Sequence, residues 1–158
     1  MSGYELMKRV LGVDFGQARI GVAISDELGM LAHPLETVSA KPMDAATKRI
    51  AQLAKEREVE SVIVGLPRHM SGAVGAAAAE VEAFVAKLRP LLKCPVVMWD
   101  ERLSTTAAHR ALRDAGKKTR STRGVVDQVA AQMILQGYLD SRQASAGRAA
   151  LLGDSPEQ

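Results

Sequence analysis

Apolar residues fall into short dense runs separated by polar, glycine-bearing breaks, and their spacing predicts strands first and then strands alternating with helices. In the first run, Val10 to Asp26, two stretches rich in Val, Ile and Leu flank Gly16, Gln17 and Ala18, the pattern of a tight hairpin. Glu27-Leu28-Gly29 supplies the next turn, and a third strand follows over about Met30 to Val38. Pro34 cannot donate to a ladder, which suits that strand to a sheet edge. A helix then opens at Pro42 or Asp44 and runs to about Arg57, with Thr47, Ile50, Leu53 and Ala54 on one face.

Beyond it the run Ser61-Val62-Ile63-Val64-Gly65 is continuously apolar, as in a strand covered on both faces. Leu66 to Gly75 reads as a loop, and Val74 to Leu88 as a helix stopped by Pro90. Pro95 to Trp99 is another buried strand that runs into Asp100 and Glu101. Strand, helix, strand after a meander implies a right-handed crossover with parallel pairing. A helix capped at Ser104, Thr105 or Thr106 ends near Ala115 with Gly116 behind it. The last helix spans about Val125 to Asp140 and is apolar on more than one side, which predicts deep burial. The expected organisation is one domain over residues 1–141 and a disordered tail over 142–158, whose Ala, Gly, Ser and Gln residues show no periodicity.

Charge changes this picture at one place. The chain of 158 residues has a net charge of +3, yet seven basic residues stand between Arg102 and Arg123 against the single acid Asp114, so the remainder is net acidic. Taken alone such a run is usually a solvated face. Here Lys117, Lys118, Arg120 and Arg123 immediately precede the helix that bears Asp127, and phosphate attraction becomes the better reading if a site lies there. Aromatic residues make up only 3% of the chain, so backbone charge and shape should outweigh base stacking in any nucleic-acid contact. Trp99 is read as core. The single cysteine, Cys94, excludes an intrachain disulfide framework, and no apolar run has the length of a signal or membrane segment. A cytoplasmic protein without membrane contact is expected.

Three acids occupy awkward surroundings: Asp14 at the end of the first strand, Glu101 at the end of another, and Asp127 on the inner face of the last helix. Parallel neighbouring strands bring their C-terminal ends together, and a helix packed across that edge adds the third carboxylate. Such a cluster repels itself unless a cation fills it. Mg²⁺ takes one or two carboxylates together with waters and phosphate oxygens, and paired ions about 3.5 to 4 Å apart serve phosphodiester hydrolysis. Each acid also has a plain structural reading. Asp14 suits an Asx-type bend before Gly16, Asp127 complements a helix dipole, and Glu101 pairs with Arg102 at the surface. One metal site accounts for all three together. Arg19 reads equally as a strand-edge charge or as an orienting or phosphate contact.

Four segments resemble one known family. Asp14-Phe-Gly-Gln-Ala-Arg-Ile-Gly-Val-Ala-Ile-Ser-Asp26, Val64-Gly-Leu-Pro67, Asp100-Glu-Arg-Leu-Ser-Thr-Thr-Ala107 and Val126-Asp-Gln-Val-Ala-Ala131 occur in the order found in the YqgF or RuvX family of pre-16S rRNA nucleases, also described as Holliday junction resolvases. The resemblance implies an α/β, ribonuclease H-like fold: a five-stranded mixed sheet, three antiparallel strands then two parallel, flanked by helices on both faces. It further implies a bacterial enzyme that trims the 5′ end of the 16S rRNA precursor, with Asp14, Glu101 and Asp127 holding Mg²⁺ or Mn²⁺. Arg19, Arg102, Lys117, Lys118, Arg120 and Arg123 are the nucleic-acid contacts expected here, and structured RNA such as pre-rRNA, or branched DNA, is the expected partner. Cutting a junction symmetrically favours a homodimer, whereas trimming one RNA end needs only a monomer. Where relatives commonly carry Asn-Met-Asp-Gly, this chain has His69-Met70-Ser71-Gly72, so a role for that loop does not carry over.

Two other classes fit less well. Asp-x-Gly before a hairpin also opens the actin and sugar-kinase ATPase domains, but those enclose ATP between two domains, and no phosphate-binding Gly-x-x-x-x-Gly-Lys loop is present. A binding module without turnover has no need of all three acids.

Overall fold

The computed structural model describes residues 9–66, 72–100 and 123–151. Among these residues five strands and three helices follow one another as β1 (Val10–Phe15), β2 (Arg19–Ser25), β3 (Ala32–Ser39), α1 (Met43–Glu56), β4 (Ser61–Leu66), α2 (Gly72–Leu88), β5 (Val96–Asp100) and α3 (Arg123–Leu151), with a short 3₁₀ turn at Arg89–Leu91. The strands form one sheet in the order β3-β2-β1-β4-β5. β1 pairs antiparallel with β2, and β2 with β3, whereas β4 runs parallel to both β1 and β5. The expected five-stranded mixed sheet is therefore present, with β4 in its interior and β3 at one edge.

Alternation along the strands divides the core in two. Leu11, Val13, Ile20, Val22, Val62 and Val64 face α1 and α2, where they pack against Ile50, Leu53, Phe84 and Leu88. Val10, Ala23 and Ile63 face α3 and meet Ala131, Ile134, Leu135 and Leu139. The α1 side is also tied to β3 by a two-pronged ion pair: Arg49 Nε and Nη2 donate to Glu36 Oε2 and Oε1 at 2.7 and 2.6 Å. Hydrogen bonding and charge from Arg49 hold the Glu36 carboxyl below its usual range.

On the other side, glutamines fasten α3 to the edge of the sheet. Gln128 Nε2 donates to Thr37 Oγ1, Gln132 Nε2 to the Ala32 carbonyl, and Gln136 both accepts from the Ala32 N–H and donates to the Met30 carbonyl. Their spacing of four residues lines them along one helix face. They fix the height at which α3 lies on the sheet, and with it the position of Asp127.

Several boundaries differ from the sequence expectation: α2 begins at Gly72, inside the loop expected to reach Gly75, and α3 at Arg123, at the end of the expected basic linker. β3 starts at Ala32, because the Asp26 N–H donates to the Leu31 carbonyl and the Asp26 carboxylate accepts from the Met30 N–H, which folds residues 26–31 into a turn. α3 runs on to Leu151, where a disordered tail was expected from residue 142. Ala, Arg and Gln carry high helix propensity even without an apolar stripe, and Arg142 Nη1 lies 2.9 Å from Glu60 Oε1. The expected helix near 104–115, all of the expected basic linker 117–123 except Arg123, and the variant residues His69 and Ser71 lie outside the described residues.

Candidate active site

The parallel strands β1, β4 and β5 end at the same edge of the sheet, in Phe15, Leu66 and Asp100; the strands of Asp14 and Asp100 are not the neighbours expected, because β4 lies between them. Asp14 is one residue from the end of β1, half-buried, and directly opposite Gly21 in the antiparallel register. Residues opposite one another in such a pair project from the same face of the sheet, and for this pair it is the face that α3 covers. A Cβ on Gly21 would overlap the carbonyl of Asp127 and crowd the backbone nitrogen of Gln128. Glycine at position 21 thus lets the first turns of α3 lie directly on the sheet. The same close approach recurs below it, where a Cβ on Gly12 would stand 2.7 Å from Leu135 Cβ. Asp14 and Asp127, distant in sequence, are in this way brought to one corner.

Asp127 is held there by a partner from the hairpin. Arg19 Nε donates to Asp127 Oδ2 at 2.7 Å, with the arginine side chain 40% and the aspartate side chain 23% exposed. Arg19 opens β2, and its carbonyl accepts from the Gly16 N–H at 3.0 Å, which closes the β1–β2 turn. Of the two readings open for Arg19, the structure adds an orienting contact to Asp127. Asp14 and Asp100 are also engaged by neighbouring groups.

On β5, Trp99 is in register with Gly65 and packs edge-on against Tyr138 of α3, ring centroids 5.5 Å apart. It belongs to the α3-side core, as expected, and is not an open stacking platform. Glu101, the next residue after the end of β5, lies outside the described residues, as do Arg102, Lys117, Lys118 and Arg120; of Arg123 the structure describes only its place at the start of α3. Among the described residues no group of three His, Cys, Asp or Glu side chains is placed to hold a metal ion. Two carboxylates at one corner are what the described part supplies.

Elsewhere the chemistry is quiet. A cavity of about 800 Å³, lined by Lys48, Lys55, Val59, Leu91 and Cys94 among others, lies at the opposite end, where β4 and β5 begin, and shares no residue with the acidic corner. Burial pushes the Cys94 thiol above its usual range, which keeps it protonated and a poor nucleophile at neutral pH. No described helix is long and apolar enough to cross a membrane.

Comparison with known proteins bears directly on this corner. Residues 8–141 match the family model RuvX, described as Holliday junction resolvase. A protein of Halalkalibacterium halodurans named as a pre-16S rRNA nuclease is 46% identical over 137 residues, covering 85% of this chain and 98% of its own. One of the same name from Chloroflexus aggregans is 49% identical over 133 residues, covering 84% and 94%. Among solved structures, RuvC of T. thermophilus in complex with a Holliday junction substrate superposes with a TM-score of 0.57 at 17% identity, over 87% of this chain and 97% of that one. The fowlpox virus Holliday junction resolvase gives 0.50 at 14%, over 84% and 99%. At these identities the structures share the fold, which is ribonuclease H-like.

Proposed function

The chain belongs to the RuvX family, and on that premise we propose that it is a divalent-metal-dependent nuclease in which Asp14, Glu101 and Asp127 hold Mg²⁺ or Mn²⁺. Nuclease chemistry is common to the family description and to the names of the curated relatives. The observation that carries the metal reading is the contact between Gly21 and the Asp127 backbone, which gathers Asp127 and Asp14 at the C-terminal edge of the parallel strands.

The donor set fits. Asp14 and Asp127 offer hard carboxylate oxygens of the kind Mg²⁺ and Mn²⁺ prefer, in a number that leaves room for waters and phosphate oxygens. Glu101 is the third ligand of the proposal; Trp99, two positions before it, packs on the α3 face. When bound, the metal supplies Lewis-acid polarisation of the phosphoryl group and activation of water. The chain's own residues do the rest. Asp14 and Asp127 fix where the scissile phosphate sits, Gly21 and Gly12 keep α3 close enough for that geometry, and Arg19, Arg102, Lys117, Lys118, Arg120 and Arg123 hold the flanking phosphates. Phosphate contacts position a nucleic acid without reading its sequence.

As substrate we assign precursor 16S rRNA, on the strength of the names of the relatives at 46% and 49% identity, with its 5′ end, implied by the family resemblance, as the expected place of cutting. The family description favours a second reading, four-way DNA. Cleavage of end-labelled precursor 16S rRNA and of a synthetic four-way junction, in Mg²⁺, Mn²⁺ or EDTA, decides between them. The expected result is metal-dependent cutting of the rRNA by the wild type, with about a hundredfold or greater loss in Asp14→Asn and Asp127→Asn. Binding without cutting, unchanged in both variants, would refute the enzyme.

A further inference from the structure

Asp127 is already in use. Its Oδ2 accepts a charge-assisted hydrogen bond from Arg19 Nε at 2.7 Å, so the carboxylate assigned to the metal carries a cation of the chain's own. We propose that Arg19 is a displaceable counter-ion: it occupies Asp127 until a divalent cation takes its place, sets the affinity of the site, and is released by the metal toward the substrate phosphate. The inference rests on the metal reading given above and adds to it an order of events.

The two partners differ in freedom. Asp127 is pinned from behind, because its carbonyl lies where a Gly21 side chain would begin, and Gln128, the next residue, is tied to Thr37 Oγ1 at 3.1 Å. Its side chain is 23% exposed. Among the described residues, the backbone of Arg19 is fixed through the Gly16 N–H to Arg19 carbonyl bond and the β2–β3 register with Ser39, while its side chain, bonded to Asp127, is 40% exposed and reaches solvent. When the pair opens, the guanidinium is therefore the group that moves. Holding its backbone at the head of β2 keeps it near the acidic corner after it leaves.

Charge decides the direction of the effect. A guanidinium beside a carboxylate lowers that carboxylate's attraction for a divalent cation and takes one of its acceptor positions. Removing the arginine therefore strengthens metal binding even as it weakens substrate binding, a combination that a merely structural role does not produce. By linkage, metal that displaces Arg19 from Asp127 must also leave that guanidinium freer for phosphate, to which its planar fork binds in two-pronged fashion.

Mn²⁺ binding by calorimetry or electron paramagnetic resonance on the wild type, Arg19→Gln, Arg19→Lys and Asp127→Asn tests this without reference to turnover. Arg19→Gln should bind Mn²⁺ on the order of fivefold more tightly, as expected for loss of a half-exposed ion pair, and Arg19→Lys should stay near wild type. In the wild type, the Arg19 Nε–H cross-peak in a nitrogen–proton correlation spectrum should shift on titration with Mg²⁺, a measurement that needs the variant only for assignment. An unchanged or weaker Kd in Arg19→Gln, with wild-type metal binding that Asp127→Asn abolishes, overturns the counter-ion and leaves the metal site standing. Wild-type protein that takes up no Mn²⁺ overturns both.

Discussion

The two faces of the sheet are packed on different principles. Toward α1 and α2 the contacts are made by large branched and aromatic side chains, with Ile50, Leu53, Phe84 and Leu88 almost fully buried between helix and strand. Toward α3, Ile134, Leu135 and Leu139 also fill the interface, but beside the acidic corner the contacts are made by close approach: Gly12 and Gly21 on the sheet, Ala131 on the helix, and a row of glutamines at its side. A face filled by volume loses stability when a group is removed. One that works by proximity fails when a group is added, and the loss falls on the acidic corner as well as on the fold.

Substitutions that subtract on one side and add on the other separate these principles. Ile50→Ala should cost about 2–5 kcal/mol, read from urea denaturation midpoints, because it leaves a cavity under α1. At a temperature where the variant is folded, its nuclease rate should equal the wild type's. Gly21→Ala should cost about 3 kcal/mol or more, because the methyl would overlap helix backbone that cannot give way cheaply, and in the folded variant it should also lower cleavage about a hundredfold, since displacing Asp127 by an ångström is enough for such a loss. Equal rates in Gly21→Ala and wild type would dissolve the distinction between the faces.

The smallest effect belongs to the Glu36–Arg49 pair. Arg49 keeps the Glu36 carboxyl below its usual range in the folded protein, so the pair contributes stability above the unfolded glutamate's pKa and loses it as pH falls through the lowered value. Both side chains are about one-third exposed, so solvent screening keeps the contribution small. Glu36→Gln should therefore destabilise slightly at pH 7 and converge with wild type in acid. A difference in urea midpoint that grows as pH falls would contradict this sign.

Much of this was legible in the sequence. The hairpin, the edge position of the Pro34 strand, the interior position of Ser61–Gly65 and the inward face of the last helix all follow from periods of two and 3.6 residues and the places of Gly and Pro. Asp14 and Asp127 stood out because a carboxylate in apolar surroundings needs a reason. Arg19 did not reveal its partner, since the two are 108 residues apart and no local rule pairs them. The glutamines were missed although their signal is plain in hindsight: three amides at intervals of four on a helix otherwise apolar on several sides. The continuation of α3 was missed because its Ala-rich stretch has propensity without periodicity, and its attachments, Arg142 to Glu60 and Gln143 to the Gly29 carbonyl, are tertiary.

Those same glutamines bear on how the protein behaves in a crowd. An edge strand exposes backbone groups on which a neighbouring chain can build another strand, a common start of aggregation. On β3 these outward groups belong to alternate residues. At Ala32 both the N–H and the carbonyl are taken by Gln136 and Gln132, and at Pro34 there is no N–H to offer. The first half of this edge therefore presents no complete donor and acceptor pair, and the helix that carries Asp127 also keeps that stretch of β3 from being extended by a stranger.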